Sequence, residues 1–292
     1  MTMKFTKVQG AGNDFILVKA GKARRNWPKL AVAMCDRHFG VGADGLLVVF
    51  PSEIADLQMR IFNADGSEAR ACGNGLRCLV RYALDEGLVS RKAQEISVET
   101  ISGVRKARLQ MGKGNIATIQ VSMGEPKFGA KDIPVAIEPE ENLVDIKIMG
   151  YPVIVDGKTL LLDFVSMGSP HAVYFWQHPV SDFPLSQLGP KMEHLAIFPD
   201  RVNFEVARVL SRNEIEARVW ERGVGETLAC GSGACAIAVF AQLHNYIGSK
   251  VDLKLPGGIL AIEWDGRGEV FLSGPAKIVF NGEWLDENVK TG

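Results

Sequence analysis

Cys72 and Cys230 stand in the same local string: Ala71-Cys72-Gly73-Asn74-Gly75 and Ala229-Cys230-Gly231-Ser232-Gly233. Each string follows a strand-like run and precedes an apolar stretch with helical spacing, so each cysteine is expected at a helix N-terminus. Unpaired backbone N–H groups and the positive end of the helix dipole there favour a thiolate and can hold a carboxylate. A thiolate and a thiol facing one cleft could invert a carbon acid, one removing a proton while the other delivers a proton to the opposite face. Glycines at 73, 75, 231 and 233 would let backbone amides close around a substrate carboxylate and the developing enolate charge. The alternative for any free cysteine is a small buried hydrophobe, and that reading suits Cys35, Cys78 and Cys235.

The elements that must position these thiols form an internal repeat. At a shift of 158 residues Arg60-Ile61-Phe62 meets Arg218-Val219-Trp220, Glu68 meets Glu226, Cys72 meets Cys230, and Gly10 meets Gly168. One register through several separated matches points to duplication. Short β-branched runs predict strands at 5–8, 15–18, 46–50, 59–62, 96–100, 107–110 and 116–121. Apolar spacing predicts helices over 73–86 and 231–244, the second apolar nearly all round and therefore enclosed. Gly124-Glu125-Pro126 and Ile133-Pro134 mark 123–139 as the expected linker. Glu68 and Glu226, four residues before each cysteine, read as loop-fixing residues.

Composition narrows the function. The 292 residues carry 33 Lys+Arg against 34 Asp+Glu, a net charge of -1, 47% hydrophobic residues and five cysteines. Disorder is excluded, and the balanced charge offers no field to gather nucleic acid or an acidic membrane surface. The expected partner is a small molecule. The odd, sparse cysteine count, the lack of an apolar leader and the absence of a membrane-length apolar run suit a reduced, cytoplasmic protein. Gly40-Val41-Gly42-Ala43-Asp44-Gly45 matches a dinucleotide string but leads into a strand, so it is read as turns. No metal spacing or cofactor motif stands out, and no cofactor is expected.

The chain resembles the diaminopimelate epimerases over essentially its whole length. The resemblance is carried by Gln9-Gly10-Ala11-Gly12-Asn13-Asp14-Phe15, Phe62-Asn63-Ala64-Asp65-Gly66-Ser67, Cys72-Gly73-Asn74-Gly75-Leu76-Arg77-Cys78, Ser166-Met167-Gly168-Ser169-Pro170-His171, Arg201-Val202-Asn203, and Glu221-Arg222-Gly223 through Cys235. It implies an α/β (α+β) fold of two pseudo-symmetric halves, each a mainly antiparallel sheet wrapped around a central helix, with the site in the cleft between them. The halves are expected at 1–123, with 276–292 returning to it, and at 124–275.

The resemblance also implies a cofactor-independent two-base epimerase of lysine and peptidoglycan synthesis, working as a homodimer. Cys72 would be the donor and Cys230 the acceptor, and these roles exchange with direction. Gly73-Asn74 and Gly231-Ser232 would hold the carboxylate at the reacting centre. Asn13, Asn63, Asn203 and Arg222 would recognise the remote L-centre, and Glu221 its ammonium group. His171 and Glu221 would adjust the thiols' protonation. The asparagines, read alone, could simply bond their own turns. Two positions depart from the common family pattern: Gly45 stands where Gln is frequent, and Ser169 replaces the Asn of Asn-Pro-His, lacking that amide's reach. Other two-cysteine racemases, acting on proline, hydroxyproline or histidine, and a noncatalytic binding or redox-sensing protein are the competing readings.

Overall fold

Strands form where buried and solvent-facing residues alternate or where β-branched runs are enclosed on both faces. In a computed structural model, which describes residues 2–21, 24–69, 72–112, 115–137 and 147–285, the chain divides into two units. The first comprises Met1–Val121 and Gly274–Gly292, the second Ser122–Ser273.

The first unit is built from β1 (Thr2–Gly10), β2 (Asn13–Lys19), α1 (Trp27–Cys35), β3 (Gly45–Phe50), β4 (Leu57–Asn63), β5 (Glu68–Ala69), α2 (Gly73–Asp85), β6 (Glu95–Thr100), β7 (Gly103–Gly112) and β8 (Asn115–Ser122). The second contains β9 (Ile148–Val155), β10 (Lys158–Ser166), β11 (Pro170–Phe175), α3 (Leu185–Glu193), β12 (Asn203–Ser211), β13 (Glu214–Glu221), β14 (Gly225–Thr227), α4 (Gly231–Leu243), β15 (Lys250–Leu255), β16 (Gly258–Glu263) and β17 (Phe271–Gly274). β18 (Lys277–Leu285) returns to pair with β1.

Pairing repeats from one unit to the other. In the first, β18, β1, β2, β3, β4, β6, β7 and β8 succeed one another, with parallel junctions at β2–β3 and β4–β6. In the second, β9, β10, β11, β12, β13, β15, β16 and β17 do so, with parallel junctions at β11–β12 and β13–β15. All other junctions are antiparallel. The fold is mixed α/β with two topologically alike halves.

Each half encloses one helix. α2 packs on β1–β4, β7 and β18, while α4 packs on β10–β12, β15 and β16. Their apolar residues are buried almost without interruption, including Leu76, Leu79, Val80 and Leu84 of α2 and Ala234 through Ala241 of α4. Both helices end alike. Gly87 (φ 67°) and Asn245 (φ 61°) take left-handed conformations, and the next amides, of Leu88 and Tyr246, bond back to Ala83 O and Ala241 O at 2.8 Å. That closure satisfies carbonyls a helix end would otherwise leave unpaired.

Two further helices lie where the sequence reading placed none. α1 begins at Asn26, whose side chain accepts from the Lys29 amide at 3.1 Å, and it buries Trp27, Ala31, Met34 and Cys35. α3 buries Leu185, Leu188, Gly189 and Met192 although Pro190 lies within it. The expected linker is instead part of the second unit. Ile133, Val135 and Ile137 sit in its core, and Lys127 bridges to Ser166. Pro and Gly there mark irregular backbone, which does not require exposure; residues 138–139 lie outside the described chain.

Candidate active site

Both repeated cysteines are helix N-caps. Cys72 has extended backbone (φ -149°, ψ 113°), and its Sγ accepts from the Gly75 amide at 3.3 Å. Cys230 (φ -114°, ψ 117°) does the same with the Gly233 amide at 3.4 Å. The backbone N–H groups of Gly73, Asn74, Gly231 and Ser232 belong to first turns, where no intrahelical acceptor exists. Such amides suit a carboxylate.

A two-residue hairpin brings Asn13 to Cys72. Gly10 pairs with Asn13 across Ala11 and Gly12, both at positive φ (55° and 84°), the conformation a tight hairpin requires. Asn13 Oδ1 then lies 3.8 Å from Cys72 Sγ and accepts from Asn74 Nδ2 at 3.2 Å. The buried Arg77 guanidinium donates to Asn74 Oδ1 at 2.8 Å. Asn13 donates to Asp44 at 2.6 Å, and Arg37 joins Asp44 to Asp14, each at 2.8 Å. Burial opposes ionisation of Asp14, but Arg37 and Lys7 outweigh it and hold the carboxyl below its usual range. Asn63 is exposed at the end of β4 and donates to Ser67 Oγ at 2.9 Å.

Around Cys230 the groups are ionisable. Its Sγ lies 3.4 Å from Ser232 Oγ, and Glu221 accepts from Thr227 Oγ1 at 2.5 Å. Burial and the carboxylates of Glu221 and Glu205 push the Cys230 thiol well up, against the lowering effect of Ser232 and the Gly233 amide. The Gly233 amide at the helix end favours the thiolate, and burial outweighs it. Burial likewise pushes Glu221 up. His171 is wholly enclosed, with Nδ1 2.7 Å from Glu205 Oε1 and Nε2 3.0 Å from Ser169 Oγ.

The residues expected to grip the remote substrate end are themselves tied in place. Asn203 donates to Pro170 O at 2.8 Å and accepts from the Arg222 amide at 2.9 Å; Arg222 also donates to Asp200 O at 2.8 Å. Glu193 holds the same loop, accepting from the Gly223 amide and Trp220 Nε1 at 2.8 Å each. Glu68 and Glu226 receive two-point grips from Arg60 and Arg218.

Cys35 and Cys78 are buried thiols whose pKa burial pushes up to about 12, and Cys235 is equally enclosed. Glu205, Asp44, Arg77 and Glu193 were not singled out from the sequence. Only Glu205 carried a visible signal, an acid within the apolar strand Asn203-Phe204-Glu205-Val206. Among the described residues, no three His, Cys, Asp or Glu cluster as a metal site, and no helix is long and apolar enough to cross a membrane.

The duplicated arrangement of sheet-wrapped helices is the class of fold found in a hydroxyproline epimerase from Agrobacterium vitis (TM-score 0.72, 14% identity, 99% of this chain and 94% of that one). A phenazine biosynthesis PhzF-family protein from Bacillus anthracis shares it (TM-score 0.71, 16% identity, 98% and 99%). The diaminopimelate epimerase family profile matches residues 5–129 and 164–279. Diaminopimelate epimerases from Pelotomaculum thermopropionicum and Methanococcus maripaludis are 46% and 40% identical, covering 97% and 96% of this chain and 99% of each relative. The chain belongs to the diaminopimelate epimerase family, a family of cofactor-independent isomerases.

Proposed function

We propose that the protein interconverts LL- and meso-2,6-diaminopimelate by a two-base mechanism, supplying lysine and peptidoglycan synthesis in the cytoplasm as a homodimer. The observation that carries this reading is the repeated cap: two enclosed helices, each started by a cysteine whose sulfur accepts the amide three residues on. First-turn amides at 73–74 and 231–232 hold the carboxylate of the reacting centre and stabilise the enolate charge as the α-carbon loses its proton.

In one direction a Cys72 thiolate takes the α-proton, the electron pair moves into the carboxylate, and the Cys230 thiol gives its own proton to the opposite face. Cys72 then carries the proton and Cys230 the negative charge. The reverse reaction starts from that state. The high proton affinity of Cys230 suits delivery; when it must instead accept, Glu221 takes the proton from its thiol beforehand. Asn63, Asn203 and Arg222 bind the distant carboxylate and Glu221 its ammonium, so the substrate is a small zwitterion, with no nucleic acid or membrane involved.

Reduced protein, without added pyridoxal phosphate, should incorporate deuterium from heavy water at the α-carbon of LL-diaminopimelate and yield the meso isomer, and should leave proline and histidine unlabelled. No incorporation under reducing conditions overturns the proposal; labelling of proline or histidine in preference assigns a different substrate.

A further inference from the structure

The repeat places unlike residues at like positions. Phe15 faces Gly45 across β2–β3, and His171 faces Asn203 across β11–β12; Gly45 and Asn203 are 158 residues apart, as are Leu47 and Glu205. The two glycines after the caps report the same correspondence. A Cβ on Gly75 would meet Leu47 Cδ2 at 3.1 Å, whereas one on Gly233 would meet Glu205 Oε1 at 2.8 Å. The first turn of α2 thus rests on Leu47, and Phe15 lies on the neighbouring strand. The first turn of α4 rests on the Glu205 carboxyl, which in turn holds the His171 imidazole.

We propose that Glu205 is a positioning residue of the epimerisation: by gripping His171 it builds an ionisable pair under the Cys230 cap where the other half has an apolar pair, and so keeps the two thiols inequivalent. This rests on the two-cysteine function proposed above.

The fold alone gives no reason for the carboxyl. Glu205 is wholly buried, and its Oε2 has no hydrogen-bond partner among the described residues, a costly arrangement that a leucine would avoid. Leu47 shows that a leucine fits at the corresponding place, with no exposed surface. Oε1 is committed to His171 Nδ1, which fixes the ring and directs Nε2 to Ser169. The titratable groups facing Glu205 are His171 from β11, Glu221 from β13 and Cys230 from α4. Three of these four, counting Glu205 itself, become anions on ionising. His171 alone can become a cation. Burial pushes the Glu205 carboxyl up against the lowering effect of His171, so the pair gives the Cys230 side two proton-holding groups where the corresponding positions of the other half carry hydrocarbon.

The test uses the full, reduced chain labelled with 15N-histidine, with a His171→Asn spectrum to identify the signals. In Glu205→Gln, which keeps shape and removes charge, the His171 ring signals should shift, because the partner 2.7 Å from Nδ1 changes from a carboxyl to an amide. kcat should fall about tenfold or more in both directions with KM within about threefold, because the substrate-binding groups are untouched. His171 ring signals or a kcat unchanged from wild type overturn the proposal.

Should Glu205→Gln fail to fold, the double variant His171→Phe/Glu205→Leu, which transplants the other half's pair, decides instead. It should withstand urea at least as well as wild type yet lose α-deuterium exchange; retained exchange overturns the proposal. The imidazole spectrum needs no turnover. A wild type without exchange but with the expected shift in Glu205→Gln rejects the epimerase reading, whereas an active wild type with no such shift rejects the role of Glu205.

Discussion

Replacing each cap cysteine by serine separates the sulfur's structural contribution from its chemical one. Cys72 and Cys230 accept helix amides at 3.3 and 3.4 Å, contacts suited to sulfur, which is a weak acceptor. Serine is among the strongest caps, and replacing such a cap by alanine costs about 1 kcal/mol. Cysteine falls between. Cys72→Ser should therefore be as stable as wild type or up to about 0.5 kcal/mol more so, and Cys72→Ala about 0.5 kcal/mol less so. At Cys230 the same order should hold, because its sulfur accepts the Gly233 amide in the same way.

In thermal melts about 1 kcal/mol corresponds to some 2–4 °C for a chain of this size, so the order serine above alanine is measurable at both positions. Activity should follow no such order. A serine hydroxyl holds its proton far more tightly than a thiol, and losing either general acid–base group should cut α-deuterium exchange by about 10²–10⁴ in all four variants. The experiment is a melt and an exchange rate on each. A Cys72→Ser protein melting below Cys72→Ala would refute the capping argument. Exchange within threefold of wild type in either serine variant would refute the assignment of the thiols.

Three further outcomes test the scaffold. Gly189→Ala would place a Cβ 2.5 Å from the Trp220 ring, so it should destabilise by about 1–3 kcal/mol in urea unfolding; an unchanged midpoint would mean that α3 slides freely on β13. Glu193→Ala releases Gly223 and Trp220, so KM for diaminopimelate should rise several-fold with a smaller change in kcat in steady-state assays. Asp14→Asn should destabilise at pH 7. Because the folded carboxyl lies below its usual range, its stabilisation is present above about pH 4 and fades as pH falls further, so the two unfolding curves should converge in acid.

The sequence pattern exposed what depends on local chemistry. Both enclosed helices, the caps that start them and the repeat itself follow from apolar spacing and from glycine placed after cysteine. α1 was hidden although its cap residue Asn26 and apolar spacing were present, because the run is only nine residues long and opens with Trp-Pro. α3 was masked by Pro190 within its span. The stretch 123–137 misled because composition reports the regularity of a backbone, and burial depends on what folds over it. Glu205 could not be read as a site residue because its partner, His171, lies 34 residues away on another strand.

The comparison of the halves separates scaffold from chemistry. What recurs is mechanical: the cysteine cap, the glycine three residues on, the left-handed helix closure, and the two-point grip of Arg60 on Glu68 and Arg218 on Glu226. What differs is ionisable. Across the repeat, Asn13 stands against Ser169, Phe15 against His171, Leu47 against Glu205 and Asn63 against Glu221. Phe15, Leu47 and Asn63 carry no ionisable group in the first half, whereas their counterparts His171, Glu205 and Glu221 in the second do. A duplicated fold by itself would deliver two equal thiols, and equal thiols do not define which one starts with the proton. The substitutions on β11, β12 and β13 break that equality while leaving the caps alike, so the geometry of inversion and its proton inventory are set by different residues and are open to separate mutation.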